Sequence, residues 1–260
     1  SAAWLGTRIK RIALSRRNLF QESLGYIEGG SETLLQKMQE VVLARGGRIH
    51  LSAGIERVNA PAGKVESITI GGRTIPVDRV VSTVPIQYVP RLAPDLPEAF
   101  ASRIRALQNI PVVCVILKLR QPLSDYFWMN ICDDGIDIPG VIEYSNLNPG
   151  AGPAIVYAPF YMPATHPKFA RDNAAFVAEV LDYLPRINPA FRRDWVLAAH
   201  CHRYEFAQAV CPPGFYDMLP PMQTPLAGFF MADTAYYYPE DRSICESVKV
   251  AKALAHATLA

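Results

Sequence analysis

Residues 228–259 open with Gly228-Phe229-Phe230-Met231-Ala232-Asp233, continue through Thr234-Ala235-Tyr236-Tyr237-Tyr238-Pro239-Glu240-Asp241-Arg242, and close on Ser243-Ile244-Cys245-Glu246 and an amphipathic run to Leu259. The apolar run after Gly228 predicts a short strand. Asp233 ends that strand, and the tyrosine-rich loop leads into a helix over roughly 243–259. A strand that delivers an acid, a loop and then a helix N-terminus is a sound way to hold a phosphorylated or electron-accepting ring cofactor. The strand would set the Asp233 carboxylate to accept from ribose or ribityl hydroxyls, while amides at the positive helix end face negative charge. The plainer reading makes Asp233 an ordinary turn acid and the helix a packing element. Spacing alone leaves both open.

Upstream, the region from Gly29 to Val84 is a unit with readable punctuation. Ser31 is the expected N-cap of a helix whose Leu34, Leu35, Met38, Val41 and Val42 form one buried stripe, with Gly46-Gly47 as the stop. Short strands are expected at 48–51, 54–58 and 65–70, then a Gly71-Gly72 hairpin turn, then an edge strand at 73–77 marked by Pro76. Val80-Val81-Ser82-Thr83-Val84 reads as a buried strand stopped by Pro85.

From Ile86 the texture changes. Prolines at 90, 94, 97 and 111 frame a helix near 98–107, and strands follow at 112–119, 126–131, 141–145 and 154–158. Short turns between sequential strands favour an antiparallel sheet. A helix over 166–184, ended by Pro185, would cover one of its faces. A long strand is expected at 195–206, and the proline cluster at 212–225 reads as a loop. The expected fold class is therefore α+β. It combines a mixed antiparallel sheet covered by helices with the C-terminal strand–helix part of a cofactor domain, divided at 1–85, 86–220 and 221–260.

Composition narrows the function. With 260 residues, 50% of them hydrophobic, the chain can bury a sizeable core. A net charge of +2 with interspersed signs offers no basic face for nucleic acid. Cys114, Cys132, Cys201, Cys211 and Cys245 include no C-x-x-C pair, which suits a reducing, cytoplasmic setting. No apolar run approaches the roughly 20 residues needed to span a bilayer.

Three segments in the same order resemble the family of FAD-dependent amine oxidases, protoporphyrinogen oxidases and phytoene desaturases. They are Tyr26-Ile27-Glu28-Gly29-Gly30-Ser31 with Gly47-Arg48-Ile49-His50-Leu51 and Ile55-Glu56-Arg57-Val58, then Asp78 to Pro85, and then Gly228 to Ala235 with Tyr238 to Lys252. The resemblance implies FAD as cofactor, with Ile55 beside the adenine and Thr83, Val84 and Pro85 along the cofactor path. It places Asp233 at the ribityl or pyrophosphate region and Ile244 and Cys245 at the flavin pyrimidine edge, where reduction puts negative charge. Many relatives carry small residues where this chain has Ile244, Cys245 and Glu246. The family's usual opening, a strand with G-x-G-x-x-G, is absent, and Gly150-Ala151-Gly152 reads as a turn. The expectation is thus a C-terminal portion that by itself binds FAD weakly or not at all, with an apolar surface prone to self-association.

The complete enzyme is expected to move a hydride from an amine or allylic C–H to the flavin, on a small apolar or amine-bearing substrate. Two alternatives stand beside it, a flavin-dependent non-redox isomerase or mutase and a non-catalytic subunit that docks with a dinucleotide-binding partner. No catalytic acid or base is assigned. Tyr126, Trp128, Tyr144, Tyr157 and Tyr236 could wall a substrate pocket, although strand aromatics are more often plain core. Glu143 and Glu205 are candidate pocket acids or exposed strand positions. His200 and His202 share a strand face but lack a third ligand at a familiar spacing, so no metal is expected.

Overall fold

A computed structural model describes residues 2–14, 16–18, 21–22, 25–147 and 152–259. Its elements are α1 (Ala2–Leu14), β1 (Arg16–Asn18), β2 (Gln21–Glu22), α2 (Ser31–Ala44), β3 (Ile55–Asn59), β4 (Ser67–Ile70), β5 (Arg73–Pro76) and β6 (Val80–Ser82). After a 3-10 turn at Ile86–Tyr88 come α3 (Val89–Leu92), α4 (Glu98–Arg105), β7 (Asn109–Leu119), β8 (Trp128–Asn130), β9 (Gly140–Glu143), α5 (Tyr144–Leu147) and β10 (Ala154–Tyr161). The chain ends with α6 (Asn173–Ile187), β11 (Val196–Ala209), α7 (Phe215–Met218), β12 (Phe229–Met231) and α8 (Ile244–Leu259). The class is α+β, as expected. The turn at Gly150-Ala151 lies outside the described residues.

These elements form two compact units, one made of residues 1–108 and 209–260 and the other of 109–208. The expected divisions at 85 and 220 do not coincide with these limits. Ile86, Val89, Phe100, Ile104 and Phe215 pack into one core with Val58, Phe229 and Met231, which draws α3, α4 and α7 into the first unit.

In the first unit β3, β4 and β5 form an antiparallel meander. Gly71 and Gly72, with φ of +55° and +71°, make the two-residue turn that pairs Ile70 with Arg73, because L side chains rarely adopt that conformation. β5 is the outer strand, as Pro76 suggested. β6 and β12 run parallel, with Val80 opposite Phe229 and Ser82 opposite Met231. Gly228 makes this approach possible, since a Cβ there would lie 2.8 Å from the carbonyl oxygen of Asp78. Helix α8 anchors on β12 through the buried Leu254, beside Phe230 and Ala232.

Four expectations for this unit are corrected. Residues 48–51 are not a strand, and Leu51 is 84% exposed; a strand needs a ladder partner, and none of the described residues supplies one. The apolar stripe of α2 is not buried, with Leu35 and Met38 57% and 55% exposed, and its cap position is held by Gly30 rather than Ser31. β6 buries only Ser82 and leaves Val81 exposed.

The second unit is a five-stranded sheet ordered β11-β7-β10-β9-β8. Alternate residues of β7, Val113, Val115, Leu117 and Leu119, meet Val156 and Ala158 of β10 and the apolar side of α6, Phe176, Val180 and Leu184. This is the expected helix-covered face. Helix α6 starts later than expected, because Asp172 caps it by accepting from the Ala175 amide at 2.7 Å. It also runs two residues past Pro185, which in the last turn forfeits only one backbone hydrogen bond. Tyr144, expected in a strand, begins the short α5.

Candidate functional site

At the C-terminal end of β6 the first unit opens a cleft of about 1080 Å³, above the usual 300–1,000 Å³ of small-ligand sites. Ile55 at the start of β3 and Thr83 and Val84 after β6 line it, so three of the expected cofactor residues come together. Ile70, Val80 and Val81 supply apolar stretches of its wall. Ser82 also lines the cleft, and its Oγ is buried with no hydrogen-bond partner among the described residues. Such an orphan hydroxyl costs free energy unless a ligand pairs it. Among the described lining residues, Glu56 and Arg91 carry the formal charges. The Glu56 carboxylate accepts from the Gly72 amide at 3.2 Å. The Arg91 guanidinium lies over the Tyr88 ring, 5.6 Å from its centroid. Sequence reading missed Ser82, Tyr88 and Arg91. The signal was present in Tyr88-x-x-Arg91, an i, i+3 spacing just beyond Thr83–Pro85 that puts both side chains on one side of a helical turn.

Asp233 does something more specific than either sequence reading foresaw. One carboxylate oxygen accepts from the Ile86 amide at 3.0 Å and the other from the Ala235 amide at 2.9 Å. It therefore ties the chain leaving β12 to the chain leaving β6, just past Pro85. Burial pushes its pKa up, and the two amide hydrogen bonds oppose that shift. Pro85, Asp233, Ile244 and Cys245 are not among the cleft-lining residues. Ile244 and Cys245 stand exposed at the start of α8, where Ser243 Oγ accepts from the Glu246 amide at 3.2 Å. The loop before α8 is held to α1 through Asp241, which pairs with Arg8 at 3.1 Å and Arg11 at 3.3 Å.

The expected substrate-pocket aromatics fall in different places. Trp128 lies opposite Ile142, Ile142 opposite Tyr157, and Tyr157 opposite Ile116. Trp128 and Tyr157 thus share one row on the sheet face turned away from α6. Tyr126 and Trp128 also border a hollow of about 490 Å³ beside the Asp133–Arg186 ion pair. Tyr236 belongs to the first unit and donates its hydroxyl to the Pro220 carbonyl at 2.8 Å. Glu143 is fully buried, which corrects its reading as a pocket acid or an exposed strand position. Its carboxylate accepts from the Leu123 and Ser124 amides, both at 2.9 Å, and closes the loop before β8. His200 and His202 stack with ring centroids 6.3 Å apart, and no group of three or more metal-ligating side chains occurs among the described residues. Cys114, Cys201 and Cys211 have thiol pKa values raised by burial, that of Cys114 to about 11, so none is a ready nucleophile.

A cleft at the ends of parallel strands, beside an antiparallel meander, is the setting in which open α/β sheets bind nucleotides. The family model for flavin containing amine oxidoreductases matches residues 5–239. The chain belongs to this family. Solved structures share the fold of this chain. A protein of Exiguobacterium sp. 255-15 assigned as a protoporphyrinogen oxidase is 15% identical, with a TM-score of 0.64 over 90% of this chain and 52% of its own. An oxidoreductase from Methanosarcina mazei is 20% identical, with a TM-score of 0.61 over 79% of this chain and 49% of its own. A reduced UDP-galactopyranose mutase is 16% identical, with a TM-score of 0.54 over 83% of this chain and 50% of its own. The chain spans about half the length of these structures. No curated protein matches it. Among the described residues no helix is long and apolar enough to cross a membrane.

Proposed function

We propose that this chain is the substrate-side and C-terminal part of an FAD-dependent oxidoreductase, in which the cleft at the end of β6 takes the nucleotide end of the cofactor. The observation that carries the reading is the cleft itself. It gathers Ile55, Thr83 and Val84 around the buried, unpartnered Ser82 hydroxyl. Apolar walls suit a base, and the orphan hydroxyl suits a sugar or phosphate oxygen. When bound, FAD supplies the capacity to accept a hydride from an amine or allylic C–H. The residues of this chain bind, orient and exclude water. Asp233 fixes Ile86, just past the cleft-lining Thr83 and Val84. Ile244 and Cys245 offer the positive end of α8 to the flavin's pyrimidine edge. Trp128 and Tyr157 present an aromatic sheet face suited to an apolar or amine-bearing substrate. The free cysteines suit a reducing, cytoplasmic compartment.

The first test is titration of the purified chain with FAD, followed by flavin fluorescence quenching and thermal stability, beside a version extended upstream. Flavin retained by the longer protein and bound weakly by this one is the expected result. Absence of flavin from both would overturn the cofactor assignment and favour a binding subunit. The likeness to UDP-galactopyranose mutase favours a second reading, a non-redox isomerisation. Turnover of the flavin-loaded protein without consumption of an electron acceptor would select it.

The exposed Leu35, Met38 and Val42 of α2 support a further part of the proposal, self-association of this chain through that face. Sedimentation over a wide concentration range tests it, and a monomer at every concentration would end it.

A further inference from the structure

The face of the second unit's sheet turned away from α6 carries, beside its aromatic row, basic side chains that have no role so far. Cys201 and Arg203 of β11 point toward α6, Cys201 within its core and Arg203 Nε donating to the Phe169 carbonyl at 3.1 Å. Successive strand residues alternate, so His200 and His202 point the other way. Both are exposed, and their rings stack with centroids 6.3 Å apart and planes 11° from parallel. Lys118, exposed between the buried Leu117 and Leu119, faces the same way from β7. The Arg120 amide donates to the Trp195 carbonyl and the Val210 amide to the Gln108 carbonyl, which sets His200 abreast of the stretch Val115 to Lys118. None of these three basic side chains has a hydrogen-bond or ion-pair partner among the described residues. The acids of the sheet's strands, Glu143 and Glu205, both stand on the α6 side, Glu143 opposite the core residue Val156 and Glu205 two residues beyond Arg203. The far face therefore presents cationic and donor groups with no acid among its strand residues. They stand at one end of the row Ile116–Tyr157–Ile142–Trp128, which crosses the sheet over about 14 Å.

We propose that this face takes an elongated apolar carboxylate, its acid group held by His200, His202 and Lys118 and its apolar body laid along the row toward Trp128. A carboxylate whose two oxygens each accept at about 2.7–2.9 Å spans the gap between the imidazoles, and the ammonium of Lys118 adds charge. The body removes Ile116, Tyr157 and Ile142 from water. An amine-bearing ligand would meet the like charge of Lys118 and find no acid to pair with. The inference rests on the reading of this face as the substrate side, and it narrows the substrate class from apolar or amine-bearing to apolar and acidic.

The test loads the whole 260-residue chain with cis-parinaric acid, a fluorescent polyene acid, and displaces it with straight-chain probes that differ only in the head group: tetradecanoate, tetradecanol and tetradecylamine, each below its micelle concentration. Tetradecanoate is expected to compete about tenfold more strongly than tetradecanol, the size of effect of one charge-assisted contact, and tetradecylamine least of the three. Lys118→Ala, and His200→Ala combined with His202→Ala, should each bring tetradecanoate close to tetradecanol, while Lys118→Glu should raise tetradecylamine above it. Trp128→Ala should weaken all three probes by a similar factor. All four side chains are exposed, so the fold tolerates these changes. Binding without a preference for the acid, or a preference that survives loss of both histidines and of Lys118, overturns the proposal and leaves the substrate-side reading of the face in place. Acid binding that Trp128→Ala does not weaken overturns the placement of the body along the row and the proposal with it. If the polyene acid and all three probes fail to bind, the reading of the face as the substrate side falls as well.

Discussion

Glu143 shows how much one buried side chain organises. With no exposure and both oxygens engaged by the Leu123 and Ser124 amides, it acts as an internal anchor for the loop entering β8. Burial raises its pKa above the ordinary 4.5, against the pull of those amides. An acid whose folded pKa is raised contributes stability that is fully present below the ordinary value and is lost as pH rises through the folded one. Glu143→Gln should therefore destabilise the second unit by about 1–3 kcal/mol, because an amide nitrogen would face a backbone donor. The gap between variant and unmodified chain, read as urea midpoints, should narrow as pH rises from the ordinary 4.5 through the raised folded value. Asp233 titrates with the same sign, its folded pKa being raised above 3.8 by burial. The identity of these acids is visible in the sequence, but their role is not. Alternation along a strand says which face Glu143 takes and cannot say that two amides from residues 123 and 124 will be waiting there.

At the scale of elements, the parallel pair β6–β12 depends on Gly228, with φ of +83° and the Asp78 carbonyl only 2.8 Å from where a Cβ would stand. Gly228→Ala should cost about 1–3 kcal/mol, measured by urea unfolding with hydrogen exchange at Val80, whose amide donates to the Gly228 carbonyl at 2.8 Å. The α2 stripe makes the opposite prediction. Leu35→Gln with Met38→Gln should leave the folding stability of this chain within about 0.5 kcal/mol, because neither side chain is buried; a larger loss would mean that the stripe packs in solution. Helix type was readable for α2 and α8 from apolar spacing, and the end of α2 from Gly46-Gly47. What α2 packs against was not readable, since a periodic stripe records an intention to be buried and names no partner. Residues 48–51 make the same point for a strand, whose pattern is local but whose hydrogen bonds must come from another segment.

For the whole molecule, the second unit is continuous in sequence and owns a separate core built from β7, β10 and α6 around Phe160 and Phe176, whose rings meet edge to face at 5.1 Å. A protein comprising residues 109–208 is predicted to fold alone with a cooperative urea transition and near-ultraviolet signals from Trp128 and Trp195; a non-cooperative melt would show that it borrows stability from the rest. The first unit is discontinuous and should not survive removal of 209–260, which carry Phe215, Phe229, Met231 and Leu254. The sequence by itself determined the class, most of the elements, the antiparallel character of the second unit's sheet and, through three ordered segments, the flavin amine oxidoreductase family. Those properties are written in periodicity, turn residues and local motifs, which act over a few residues. Tertiary structure alone decided that α3, α4 and α7 join the first core. It also decided that Asp233 clamps Ile86 to Ala235, that Glu143 is an anchor, and that Ser82 and Arg91 share a cleft with Ile55. Each of these depends on segments far apart in the chain meeting at hydrogen-bond or van der Waals distance, and spacing along one strand or helix carries no record of such meetings.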